Sequence, residues 1–164
     1  MLKTFKLGGV HPAENKISEK AGIEILPLPK VAYIPISQHL GAPAKALVER
    51  GDVVKVGQQV AKGEAFISAN IHASVSGKVT KIDDVIDSSG YRRKAIVVQV
   101  DGDDWVDGID RTPEIKKEIT LTQKEIIQKI NDMGVVGLGG ATFPSHVKLM
   151  VPEGKKAEVL IING

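Results

Sequence analysis

Residues 134–149 read GVVGLGGATFPSHVKL, the stretch of this chain whose residue types best suit chemistry. Glycines stand at 134, 137, 139 and 140, and Phe143, Pro144 and Lys148 follow. Glycine lets backbone N–H groups approach an anion closely, and a helix opening near Pro144 would add a partial positive charge at its start. Lys148, about one turn into that helix, adds a full charge. Phe143 offers an aromatic face to a flat ring. The set therefore fits a phosphate cradle. It is not a dinucleotide fingerprint, because Gly137 and Gly139 lead to Thr142 where the third glycine belongs, and because a helix precedes the loop instead of a strand. It is not a Walker loop either, since no G-K-[ST] occurs. On spacing alone a glycine turn between two helices is the better account, with the phosphate cradle as the alternative.

Other reactive groups are sparse. The chain has no cysteine, which excludes disulfides, thiolate nucleophiles and cysteine-held zinc or iron–sulfur centres within these residues. His11, His39, His72 and His146 are widely spaced and form no metal-ligand pattern. DGDDWVDGID at 101–110 lacks the order and closing glutamate of a calcium loop, so its aspartates read as solvated turns. Ser74 and Ser76 lie near His72, but no Ser/His/Asp arrangement emerges. The charge is close to balanced, 22 basic against 20 acidic residues, with no basic stripe, which argues against nucleic acid as a partner. MLKTFKLGGVHPAENK lacks the apolar core of a signal peptide. No apolar run approaches the roughly 18 residues that span a bilayer, so any membrane link is expected to pass through a partner.

The elements that must position the loop follow from punctuation and periodicity. Residues 1–40 read as a Gly/Pro-rich arm followed by KVAYIPI, an edge strand because Pro35 removes a ladder donor. Residues 41–104 alternate short apolar runs with turn signals, including glycines at 51, 57, 63 and 77 suited to positive φ, and so predict a small all-β sandwich or barrel. Residues 105–121 read as an acidic linker. In LTQKEIIQKINDMG, Thr122 and Glu125 form a capping-box pattern, Ile126, Ile127, Ile130 and Met133 share a face, and Gly134 is a stop signal. AEVLIING, at 157–164, reads as a buried strand that lacks sheet neighbours in the sequence. Residues 122–164 thus look like the opening of an α/β domain.

Two resemblances sharpen this. V-x-x-G-D-x-V-x-x-G-Q at 48–58 and A-x-x-S-G-x-V at 73–79 resemble the barrel-sandwich hybrid of biotinyl and lipoyl carriers. A carrier needs a lysine at an exposed hairpin tip, and no lysine lies between Gly63 and Gly77, so covalent carriage is rejected. GLGGATFPSHVKL resembles the FMN loop of the flavoprotein subunit of respiratory complex I. That resemblance implies FMN contacts at Gly137, Gly139, Gly140 and Lys148, an NADH-seating ring at Phe143 and a flavin contact at Asn163. Leu138 and His146 depart from it by replacing an arginine and a glycine, and Thr142 replaces another glycine. Over its whole length the chain is similar to the RnfC family, a component of Rnf electron-transport complexes, through GGVHPAENK, PISQHLGAPA and the flavin-type loop in that order.

The fold expected is mixed: an all-β barrel-sandwich hybrid domain, then the start of an α/β flavin/NADH domain. The resemblance implies an N-terminal piece of a longer subunit, peripheral on the cytoplasmic side of the cell membrane and partnered by other subunits of an ion-translocating complex. Electrons from NADH would enter through FMN and leave through 4Fe-4S clusters outside this chain. The alternative is a non-catalytic docking module whose glycine loop is purely structural.

Overall fold

The computed structural model describes residues 13–87, 89–159 and 161. Gly8, Gly9, His11 and Asn163 lie outside this set.

Residues 13–30 carry neither helix nor strand. The ordered body begins at β1 (Val31–Pro35) and continues through β2 (Lys45–Ala46), β3 (Val53–Val54), β4 (Gln59–Lys62), β5 (Ile71–His72), β6 (Gly77–Ile86) and β7 (Arg92–Val100). One antiparallel sheet has the order β1-β7-β6-β3, and a second has the order β2-β4-β5. Pro35 sits opposite Ala95 on strand β1, which lies at a sheet edge, where a missing N–H donor is tolerated. The two sheets enclose a core of small branched residues, among them Ile34, Val54, Val60, Ala61, Val79, Ile96 and Val98. Short side chains let sheets of so few strands close on one another without voids. β6 and β7 pair from Gly77↔Val100 to Ile86↔Arg92 with a register shift between Val79 and Lys81. Their far ends are mostly solvent-exposed and run beyond the core.

Three of the four turn glycines take positive φ: 104° at Gly51, 83° at Gly57 and 145° at Gly77. Gly63 does not, and is required for space: a Cβ there would meet the Ser68 hydroxyl at 2.8 Å and the Ala69 nitrogen at 2.9 Å.

The stretch after β7 is tied to the barrel at its start. Trp105 forms a parallel bridge with Val56, and Arg111 stands 4.3 Å over the Trp105 ring. Residues 114–121 are exposed and irregular. Helix α1 (Gln123–Asp132) then opens on the expected capping box, with the Thr122 and Glu125 side chains bonding each other's backbone. It ends in a Schellman turn: Gly134 takes φ 64°, its N–H donates to Asn131, and the Val135 N–H reaches back to Ile130. Ile126, Ile127 and Ile130 are half-buried, while Met133 is exposed. Helix α2 (Ser145–Leu149) follows the glycine loop, with Pro144 as its N-cap.

The strand expected over 157–164 is not formed by residues 157–159 and 161. Val159 and Ile161 are 78% and 88% exposed. A strand is stable only when its N–H and C=O groups find a paired neighbour, and no described strand reaches this segment.

Candidate functional site

The glycine loop is pinched at its base. Val136 and Pro144 form an antiparallel bridge, the Gly137 N–H donates to the Phe143 carbonyl at 3.0 Å, and the Ser145 N–H donates to the Val135 carbonyl at 2.9 Å. Residues 138–141 form the tip, where Leu138 is 87% exposed. One expectation is corrected here. Gly137 cannot offer its amide to an anion, because that N–H is consumed inside the loop. Gly139 and Gly140 differ: among the described residues neither amide donates to a backbone carbonyl, and a Cβ at either would meet nothing within 4 Å.

Gly137 serves another purpose. A Cβ built on it would lie 2.6 Å from the Lys148 ammonium. Helix α2 therefore aims its lysine back over the loop, into the space a side chain at 137 would fill. The same ammonium stands 5.9 Å from the centre of the Phe143 ring. Lys148 forms no salt bridge among the described residues. The structure thus brings Gly137, Phe143 and Lys148 together beside the tip bearing Gly139 and Gly140. Asn163 lies outside the described residues.

Thr142 adopts φ 49°, the left-handed conformation that its β-branched side chain resists. Its carbonyl accepts from the Leu40 N–H at 3.3 Å, so the barrel holds the strained residue in place. Two cavities flank this strut. One, about 690 Å³, lies between residues 37–41, the far end of the β6–β7 hairpin at Asp87 and Arg93, and Gly140–Thr142. The other, about 310 Å³, is walled by Asn70, His72, Gly134, Val136 and Leu138. Arg93 is partly engaged by Asp87, with Nε 3.4 Å from the carboxylate.

His39 lines both cavities and is buried. Its Nε2 lies 3.0 Å from the Ala42 carbonyl, which can only accept, so the network assigns the proton to Nε2 and leaves Nδ1 an acceptor without a partner. His72 and His146 have their pKa values lowered by burial. For His72 the backbone of Asp132 opposes the shift in part. Among the described residues no cluster of His, Asp or Glu is arranged to hold a metal ion.

Residues 3–103 match the RnfC barrel sandwich hybrid domain. The chain belongs to the RnfC family. Residues 130–164 match the Nuo51 FMN-binding domain, and the glycine loop falls within that match. Among the relatives, the C component of the proton-translocating ferredoxin:NAD(+) oxidoreductase complex of Clostridium ljungdahlii is 48% identical over all of this chain and 35% of its own length. Its counterpart in the Na(+)-translocating ferredoxin:NAD(+) oxidoreductase complex of Acetobacterium woodii is 41% identical over 98% of the chain and 36% of its own length. The counterpart in the ion-translocating oxidoreductase complex of Rhodobacter capsulatus is 38% identical over 99% and 32%. The chain thus spans about a third of the length of these RnfC relatives. Both parts of the expected fold, the barrel-sandwich hybrid and the start of a flavin-binding domain, are met in this family.

Sequence reasoning missed Asn70. Nothing in its local pattern marks it, because its side chain works across 61 residues, on the carbonyl of Asn131.

Proposed function

We propose that the tip of the glycine loop binds the phosphate of FMN, as part of a subunit that exchanges electrons between NADH and iron–sulfur clusters in an ion-translocating membrane complex. The observation that carries this is the Lys148 ammonium lodged over Gly137, beside two amides with no backbone partner among the described residues. The fit to an anion is also chemical: two backbone donors in a glycine turn and a full positive charge over its base are the groups that phosphate oxygens accept from. Gly139 and Gly140 donate, and Lys148 pairs with the phosphate. Phe143 offers its ring to the flat part of the nucleotide or to NADH, once the ammonium is drawn from it toward the anion. Asn163 is assigned a polar flavin contact by its place in the sequence.

When bound, FMN supplies the hydride and one-electron chemistry; the chain's residues bind, orient and shield it. Such exchange runs in either direction, and the names of two relatives place NAD(+) on the accepting side. The 4Fe-4S clusters are held outside these residues, which contain no cysteine. The partners are the other subunits of the complex, and the subunit is peripheral on the cytoplasmic side of the cell membrane. Among the described residues no helix is long and apolar enough to cross a bilayer, which fits an association made through those partners.

Titration of FMN into the full-length subunit, followed by flavin fluorescence, tests the reading. A stoichiometric complex is expected there, and a weak one or none with residues 1–164 alone. If the full-length subunit bound no flavin and oxidised no NADH, the docking-module reading would replace this one.

A further inference from the structure

We infer that the barrel-sandwich domain is the rigid mount of the glycine loop, gripping it at both ends, with Asn70 as the positioning residue. The idea gains its functional meaning from the flavin reading above, but its geometry stands apart from it.

At the near end of the loop, the Asn70 side chain joins two elements. Its Oδ1 accepts from the Gly63 N–H at 3.0 Å, which fixes the turn between β4 and β5. Its Nδ2 donates to the Asn131 carbonyl at 3.1 Å, one of the carbonyls exposed where α1 ends. Asn70 is only 7% exposed, and both bonds are partly shielded from water. Its backbone carbonyl lies directly against Gly134, where a Cβ would collide with it. Gly134 is therefore doubly constrained, by its positive φ and by the barrel. At the far end of the loop the Leu40 N–H holds the Thr142 carbonyl.

The two grips are tied together. His39 Nε2 contacts the Ala42 carbonyl and, at 3.1 Å, the Ser68 hydroxyl, which itself donates to Ala42 at 2.8 Å. The Ala42 N–H donates to Ile67 at 3.0 Å. The 37–44 turn and the 63–70 turn thus form one block, and the loop spans it with only its tip free. In carrier domains of this fold the corresponding turn presents a modified lysine. Here it carries no lysine: Glu64, Ala65 and Phe66 are exposed, while Ser68, Ala69 and Asn70 are buried and Asn70 meets the loop's root.

The test uses the full-length subunit with Asn70→Asp and, separately, Gly134→Ala. Asn70→Asp keeps the acceptor for Gly63 and replaces the donor to Asn131 with a carboxylate. Hydrogen exchange is read for peptides covering 131–142 and for peptides covering β6 and β7. Both variants are expected to speed exchange in 131–142 by about tenfold while β6 and β7 keep their protection. In Gly134→Ala, FMN and riboflavin affinities are expected to fall by the same factor, because a displaced loop misplaces the site without changing its charge; Asn70→Asp adds a carboxylate beside the loop and is expected to weaken FMN at least as much as riboflavin. Unchanged exchange in 131–142, or an equal loss of protection in β6 and β7, would overturn the inference. A subunit that binds no flavin while its exchange responds as expected would overturn the flavin reading and leave the mount intact.

Discussion

Lys148→Met isolates the charge proposed to hold the phosphate. Methionine keeps an apolar stem of similar length on α2, so packing is conserved and stability should change by no more than about 0.5 kcal/mol, as for other exposed positions. The ammonium lies over Gly137 with no acidic partner among the described residues, so its field is free for a ligand. Two unit charges about 4 Å apart interact by about 1 kcal/mol in water and about 4 kcal/mol at the effective dielectric of a protein surface. Lys148 is exposed, so the lower part of that range applies: about 1.4 to 2.5 kcal/mol, or roughly a ten- to seventyfold rise in the dissociation constant of FMN. Riboflavin, which lacks the phosphate, should bind the variant and the parent full-length subunit equally well. The gap between them for FMN should narrow between about 0.1 M and 1 M salt, as the screening length falls from about 10 Å to about 3 Å. Fluorescence titration of both flavins at both salt concentrations measures all of this. Equal losses for FMN and riboflavin, or no loss for either, would refute the phosphate assignment.

Gly137→Ala introduces a Cβ where the ammonium now sits, at a φ that alanine tolerates, so the flexible lysine end should give way. FMN affinity should fall severalfold with little change in melting temperature, and the double variant with Lys148→Met should bind no worse than Lys148→Met alone. Thr142→Gly removes a β-branched residue from φ 49° and should stabilise the fold by about 1 kcal/mol in urea titration. Burial lowers the pKa of His72 and His146, so near pH 6.5 the folded chain binds fewer protons than the unfolded one. Stability should therefore be held above about pH 6.5 and lost as the pH falls below it, visible as a decreasing melting temperature, and His146→Gln should flatten part of that slope.

What the sequence made legible was local. The capping box at Thr122 and Glu125, the stop at Gly134 and the edge role of Pro35 each depend on neighbours within a few residues or on one missing donor, and each appears where the pattern puts it. What escaped was set by distant partners. AEVLIING has the composition of a buried strand, yet composition cannot provide the ladder that would bury it. Gly137 had the right residue type for the wrong reason, since counting glycines cannot tell an amide spent on Phe143 from one left free. Asn70 was invisible because its role exists only once α1 is laid against the 63–70 turn.

Gly137 and Gly134 also show why the loop's glycines are not interchangeable. At 134 the missing Cβ admits a backbone carbonyl of the barrel, and nothing there can yield, since Asn70 is pinned by two side-chain bonds. At 137 it admits the far end of a lysine, which can move. At 139 and 140 it faces open space. A gradient runs along the loop, from a root fixed by backbone contact, through a position that meets the far end of a lysine, to a tip whose amides have no backbone partner among the described residues. That order is what binding an anion at the end of a strut requires, because a donor set lowers the cost of binding only when it is held in place before the ligand arrives. A purely structural turn would need the root alone. It would gain nothing from open space at the tip or from a lysine turned back over it; Gly139→Ala, at a φ alanine tolerates and with nothing within 4 Å of the added Cβ, should therefore cost FMN binding without costing the fold, whereas any side chain at Gly140, with φ 154°, would strain the backbone.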